Sequence, residues 1–292
     1  MTPHISSLHT YPVKSGKGLT SSKYAIVKNS LPYDREFLLV DEKGLFLSQR
    51  SIPELALLRA EVGEATIHLS FQQQSITLET TSKVSKDVTV WKDTVNAQNL
   101  GEITDFLQPL LSDKSKEKAQ RVYLARGKPT EPRYVKKKYS HNTANEITFN
   151  YADSFPLLIT STSSLEALNK ELIAVGADPV PMSRFRPNIV IDGWPPFYED
   201  RIESFKVGDT TIYLPKPCGR CIMTTIDQTT GIKVGPEPFK SLGIHRSVEK
   251  GVMFGWLGYA IAPPNQNLAV GDTIDQLSLL PSSRLACKLT TA

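Results

Sequence analysis

At 292 residues the chain is long enough to bury the core of one large domain or two ordinary ones without disulfide or metal staples. Forty per cent hydrophobic and 22% charged residues is the balance of a soluble globular protein, and 17 glycines with 20 prolines point to many turns and a β-rich chain. A net charge of +4 is too mild to argue for nucleic acid, and three cysteines do not make a disulfide framework.

The N-terminal stretch "MTPHISSLHTYPVKS" has no apolar segment of signal-peptide length and no run near the ~18 apolar residues of a membrane span, so a cytoplasmic protein with no membrane partner is expected. Next, "FLLVDEKGLFLSQR" reads as a hairpin turning at Asp41 to Gly44. Residues 65–70 ("ATIHLS") and 75–80 ("SITLET") alternate as half-buried strands do, and "DVTVW" continues the pattern. "ITDFLQPLLS" predicts a short helix, bent or restarted at Pro109.

Apolar periodicity vanishes across 112–120 and 127–142, which places a domain boundary near residue 125 and divides the chain into 1–125 and 126–292. Beyond it the clearest helix has Ser163 as N-cap, Glu166 as its capping-box partner, Leu165, Leu168, Leu172 and Val175 on one face, and Gly176 as its stop. Residues 188–191, 210–214 and 221–226 are rich in β-branched side chains and read as strands, as does the closing "NLAVGDTIDQLSLL". The expected fold is mainly β (α+β), with a few helices around a barrel.

Two features carry chemistry. The run "RYVKKKYSHN" (133–142) gathers Arg133, Lys136, Lys137 and Lys138, which suits a solvated loop or the docking of an acidic partner. In "KPCGRCIMTTIDQTTG" (216–231), Cys218 and Cys221 flank Gly219 and Arg220. Such a pair can be half of a zinc site, a redox dithiol, core packing, or a soft metal ligand. Zinc wants a second pair, and a reactive dithiol wants the helix N-terminus that the strand-like 221–226 does not offer. Arg220 beside the thiols favours thiolate and can hold an anion, which suits a metal carried on a phosphorylated organic cofactor.

The same stretch resembles the signature of the MOSC domain family. "YPVKSGKG" (11–18) and "LPYDREFLLVDEKGLFLSQRSIPELALL" (31–58) are similar to the N-terminal β-barrel that accompanies MOSC in the mitochondrial amidoxime-reducing component and its bacterial relatives. "YADSFPLLITSTSSLEAL" and "RFRPNIVIDG" resemble the next two blocks in the same order. The resemblance implies an N-terminal β-barrel domain followed by an MOSC β-barrel with peripheral helices, and molybdenum cofactor held between them.

It also implies site residues. Cys221 is the molybdenum ligand, and Lys14, Ser15, Arg35, Asp153, Ser154, Arg186, Asn188, Gly219 and Arg220 bind the cofactor. Arginine forks, a lysine charge and small donors are what a phosphorylated pterin needs. Asp153 is the carboxylate considered for proton delivery, beside Cys221 as the second catalytic residue. The implied activity is reduction of small N-hydroxylated compounds by oxygen-atom transfer to molybdenum, with electrons from a separate protein of ferredoxin, flavodoxin or cytochrome type and its reductase. A non-catalytic cofactor carrier or sulfur-transfer module is the alternative. The chain departs from the family where Gly219 replaces a frequent Ser, Gly16 a frequent Cys, and Trp256 with Leu257 interrupt a late motif.

Overall fold

The computed structural model describes residues 2–111, 121–128, 130–140, 146–249 and 251–285. Cys287, His141 and the candidate boundary stretch 112–120 lie outside the described residues. Strands dominate, and three α-helices lie among the described residues: Thr104–Leu111, Thr162–Ala174 and Phe239–His245.

The larger sheet runs Leu19–Ser21, His4–Thr10, Ile189–Asp192, Leu157–Ser161, Gly251–Ile261, Thr210–Gly219, Ile202–Val207 and Gln276–Leu279, with Ser247–Val248 paired to Gly251–Ile261. One pair, Leu157–Ser161 with Ile189–Asp192, is parallel. Parallel neighbours need a crossover, and the helix Thr162–Ala174 supplies it. The sheet is a half-barrel whose outermost strands do not pair with each other among the described residues; contacts such as the His4–Thr273 bridge draw its ends together. Its inner face buries Ile5, Leu8, Ile189, Ile191, Phe205, Ile212 and Trp256.

The second unit joins a four-stranded sheet (Phe37–Asp41, Val122–Gly127, Asp93–Glu102, Ser85–Val90) to a three-stranded one (Arg59–Val62, Thr66–Phe71, Gln74–Glu79). Alternation has the predicted outcome in Thr66–Phe71, where Ile67, Leu69 and Phe71 are buried, packed in one core with Phe106, Leu107 and Leu110 of the helix Thr104–Leu111. The division near residue 125 stands as a proposal. Sheet membership is interleaved, since His4–Thr10 pairs with Ile189–Asp192 while Val122–Gly127 spans residue 125.

Four local expectations are corrected. The return arm of the first hairpin is a bridge, Val40 to Phe46, instead of a strand, although Gly44 takes the positive φ of 81° that its turn requires. The N-cap of the helix Thr162–Ala174 is Ser161, whose side chain accepts from the Ser164 amide, so Ser163 and Glu166 form no capping box. Val175 is 60% exposed, off the buried face of Leu168 and Leu172. Residues 222–225 wind into a 3-10 turn, Ile222–Thr225, instead of a strand, because Thr224 and Thr225 turn their hydroxyls back onto the carbonyls of Cys221 and Ile222.

The two units meet under the cysteine turn. Gln49, fully buried, and Gln228 exchange amide hydrogen bonds at 3.1 and 3.0 Å. Gly231 (φ 69°) lies so close to the 3-10 helix Pro53–Leu57 that a Cβ would stand 2.9 Å from Glu54 Cα, so the glycine ending "TTIDQTTG" is demanded by packing as well as by conformation.

Candidate functional site

The ten residues that the resemblance assigns to the cofactor line one cavity of about 430 Å³: Lys14, Ser15, Arg35, Asp153, Ser154, Arg186, Asn188, Gly219, Arg220 and Cys221. Strand ends position them. Lys14 and Ser15 follow His4–Thr10, Arg35 precedes Phe37–Asp41, Asp153 and Ser154 precede Leu157–Ser161, Arg186 and Asn188 lead into Ile189–Asp192, and the cysteine turn closes Thr210–Gly219. Four cavity residues that are not glycine hold left-handed backbone: Ser15 (φ 68°), Arg35 (48°), Trp91 (62°) and Arg186 (55°). Strain of this kind persists only where the surroundings impose it, and it gathers at functional sites.

The floor is a buried polar knot. Arg35 donates to both oxygens of Asp34 (2.8 and 2.6 Å), to Asn188 Oδ1 (2.8 Å) and to the Arg186 carbonyl (3.0 Å). Asn188 also accepts from the Leu158 amide and donates to Asp34 and the His9 carbonyl. Arg186 donates to the Gly16 carbonyl at 2.7 Å. The guanidinium carbons of Arg35 and Arg186 both lie 4.2 Å from the Tyr11 ring centroid. Burial pushes Tyr11 up to about 12, and burial with the Arg35 charge brings Arg186 down to about 10. Much of the hydrogen-bonding capacity of these two arginines is therefore spent within the protein.

Lys14 is buried and donates to Asp153 Oδ1 at 2.6 Å and the Tyr151 carbonyl at 2.8 Å; burial lowers its pKa, with Asp153 opposing. Surrounding protein pushes the Asp153 carboxyl up, but the Lys14 charge, the hydrogen bonds from Lys14 and Trp91, and the Arg35 charge together hold it well below the usual carboxylate range. Its side chain stays 65% exposed at the mouth.

At the cysteine turn both thiols are free. Cys218 is buried and its Sγ accepts from Arg220 NH1 at 2.9 Å. Among the described residues no hydrogen bond reaches Cys221 Sγ, and no group of three or more His, Cys, Asp or Glu side chains gathers as a metal site. Gly219 has open space where a Cβ would be, so the missing serine widens the cavity. Leu257 lines the cavity, whereas Trp256 is buried behind it and donates to Asp200.

Sequence reasoning missed Arg50, Trp91 and Arg184. Arg50 lies over the Trp91 ring at 4.2 Å. Arg184 is buried, donates to the Thr224 carbonyl and Asp227 at 3.3 Å each, and keeps a buried Nε with no partner among the described residues. Arg220 Nε is in the same condition. A signal for Arg184 was present in "RFR", two cations two residues apart beside a buried Phe. Arg133 belongs to the structure's interior, donating to the carbonyls of Asn150 and Ala152 and to Asp93, instead of forming part of an open basic stripe.

A family model described as MOSC N-terminal beta barrel domain matches residues 2–114, and one described as MOSC domain matches residues 146–275. Molybdenum cofactor sulfurase of Oryza sativa subsp. japonica is 27% identical over 267 residues, covering 87% of this chain and 32% of that protein. The chain thus spans about a third of the length of that sulfurase. Mitochondrial amidoxime-reducing component 1 of Mus musculus is 29% identical over 251 residues (83% of this chain, 71% of that protein), and its Homo sapiens counterpart is 28% identical over 296 residues (92% and 82%).

Proposed function

We propose that this chain, which belongs to the MOSC family and carries the N-terminal beta barrel domain ahead of the MOSC domain, binds molybdenum cofactor in this cavity and reduces N-hydroxylated compounds. The observation that carries the reading is the Cys221 thiol, which has no hydrogen-bond partner among the described residues and lines one cavity with the cations Lys14, Arg50, Arg184 and Arg220. Four cations on one cavity call for an anionic acceptor. Phosphate oxygens and the amide-like edge of a pterin are acceptors of that kind.

Arg184, Arg220 and Arg50, together with Lys14, would hold the anionic end, and Cys221 would hold the metal. When bound, the cofactor supplies two-electron oxygen-atom transfer. Arg35, Arg186 and Asn188 hold the floor rigid, since their partners lie within the protein. Asp153, held ionised, fixes Lys14 and Trp91 at the mouth; it can accept a proton but has none to give until it has taken one up from solvent. Electrons come from a separate donor protein, and the protein works in the cytoplasm. No helix among the described residues is long and apolar enough to cross a membrane.

The test uses protein produced in cells that make molybdenum cofactor. It is kept reduced by an excess of chemical reductant and given benzamidoxime. Benzamidine formed many times per protein supports the reductase. Benzamidine formed at most once per protein, with full molybdenum content, sinks it in favour of a cofactor carrier or sulfur-transfer module.

A further inference from the structure

A second, smaller cavity of about 180 Å³ adjoins the first, with Asp153, Ser154, Phe155 and Lys216 in both walls. Of the lysine run, Lys136 and Lys138 line it and Lys137 does not. All three lysines are exposed, and two of them stand at the rim of this cavity.

The charges in this cavity do not cancel. Asp93 is paired with Arg133 at 2.8 Å and Asp153 with Lys14 at 2.6 Å. Arg133 is further spent on two backbone carbonyls. Lys136, Lys138 and Lys216 have no ion pair among the described residues, which leaves a net positive pocket. The remaining lining is mostly aromatic, Tyr134, Tyr139, Phe149 and Phe155 with Ser154; Tyr139 meets Phe155 edge-on with ring centroids 5.7 Å apart, and Phe149 lies beneath Arg133 at 4.6 Å.

Size decides what such a pocket takes. Whole-ligand pockets run to roughly 300–1,000 Å³. A cavity of about 180 Å³ that opens beside the larger one accepts the end of a molecule whose other end reaches into the first.

We propose that this side pocket is a substrate subsite for a carboxylate on a flat ring, so that the preferred substrates are N-hydroxylated organic acids. The reacting end of such a substrate rests on the reductase reading; the carboxylate end rests on Lys136, Lys138, Lys216 and the aromatic walls alone. Lysine ammonium groups on a carboxylate make charge-assisted hydrogen bonds, each of which is stronger than a neutral one. The geometry suits a small anion, because Lys136, Lys138 and Lys216 line one small cavity.

The experiment measures equilibrium binding of benzamidoxime and of 4-carboxybenzamidoxime to the molybdenum-loaded protein by calorimetry. The carboxylate compound is expected to bind about tenfold more tightly at low salt, with the advantage shrinking as ionic strength rises. The Lys136→Ala/Lys138→Ala double variant should lose that advantage, keep its affinity for the neutral compound and keep its molybdenum. Equal affinities in the unmodified protein, or a preference that survives in the double variant, would overturn the subsite. Loss of molybdenum from the double variant would also overturn it, by assigning the pocket to the cofactor. Turnover of neutral benzamidoxime is scored separately: its absence with the carboxylate preference intact sinks the reductase reading and leaves the subsite standing.

Discussion

Arg220 donates to Cys218 Sγ at 2.9 Å, while Cys221, three residues further on, begins a 3-10 turn with its thiol free of hydrogen bonds among the described residues. One turn thus gives its two cysteines different work. Cys218 is buried and accepts from a donor; Cys221 lines the cavity, where the proposed function makes it the soft ligand.

Cys221→Ser should therefore lose both molybdenum and activity, because a hydroxyl is a poor substitute for a thiolate on a soft metal. Cys218→Ala leaves Arg220 short of one acceptor and should cost roughly 1–3 kcal/mol of stability while keeping most of the metal. Metal analysis alongside urea unfolding checks both. Equal loss of molybdenum in the two variants would contradict the single-ligand assignment.

The arginines divide in the same way. Arg35→Ala strands Asp34, whose side chain is 1% exposed, and should destabilise the fold by roughly 3–5 kcal/mol. Arg50→Ala removes contacts with the Trp91 and Phe46 rings and should cost about 1 kcal/mol while lowering molybdenum content several-fold. Thermal unfolding and metal content of the two variants separate these roles. Full molybdenum content in Arg50→Ala would remove Arg50 from the cofactor's anionic end.

The alternation of Ile67, Leu69 and Phe71 was legible because one face of that strand is core and the other solvent. The gathering of Lys14, Arg35, Asp153 and Cys221 was legible only through resemblance, since strand ends far apart in sequence meet by topology that no local pattern encodes. Two errors share a cause. The run Ser161 to Ser164 offers several side chains able to cap, and only the start of the helix decides which one does. Likewise "CIMTTI" has the composition of a strand, but its threonines bond back to the preceding turn once the chain must reverse toward Gln49. Arg50 and Trp91 escaped notice because their partnership joins loops of two different sheets.

A pH effect on stability should come from Glu199. It is fully buried, accepts from Ser164 Oγ at 2.9 Å, and burial followed by the neighbouring Asp200 charge pushes its pKa up to about 7 from an ordinary 4.5. Between those values the folded chain holds a proton that the unfolded chain has released. Its contribution is whole below about pH 4.5 and is lost as pH rises toward 7, by roughly 1.4 kcal/mol per unit at most. Glu199→Gln keeps the shape without the titration. Urea unfolding at pH 5 and pH 7 should show the natural protein losing stability relative to the variant as pH rises; parallel behaviour would place the proton elsewhere.

The Lys14–Asp153 pair titrates in the opposite sense and reaches the cofactor. Asp153 has a folded pKa below its ordinary value, so its contribution is present above about pH 3.8 and is lost as pH falls. Lys14 is pulled down by burial and supported by Asp153, so Asp153→Asn removes the support and lowers the lysine's pKa further. The cavity of the variant then loses a positive charge at a lower pH than that of the natural protein. If that charge holds the anionic end of the cofactor, the molybdenum retained after dialysis at pH 7, 8 and 9 should fall earlier in the Asn variant, and Asp153→Glu should restore part of it. Identical retention at all three values would show that Lys14 serves Asp153 and the Tyr151 carbonyl alone, and would leave the arginines as the only anion holders.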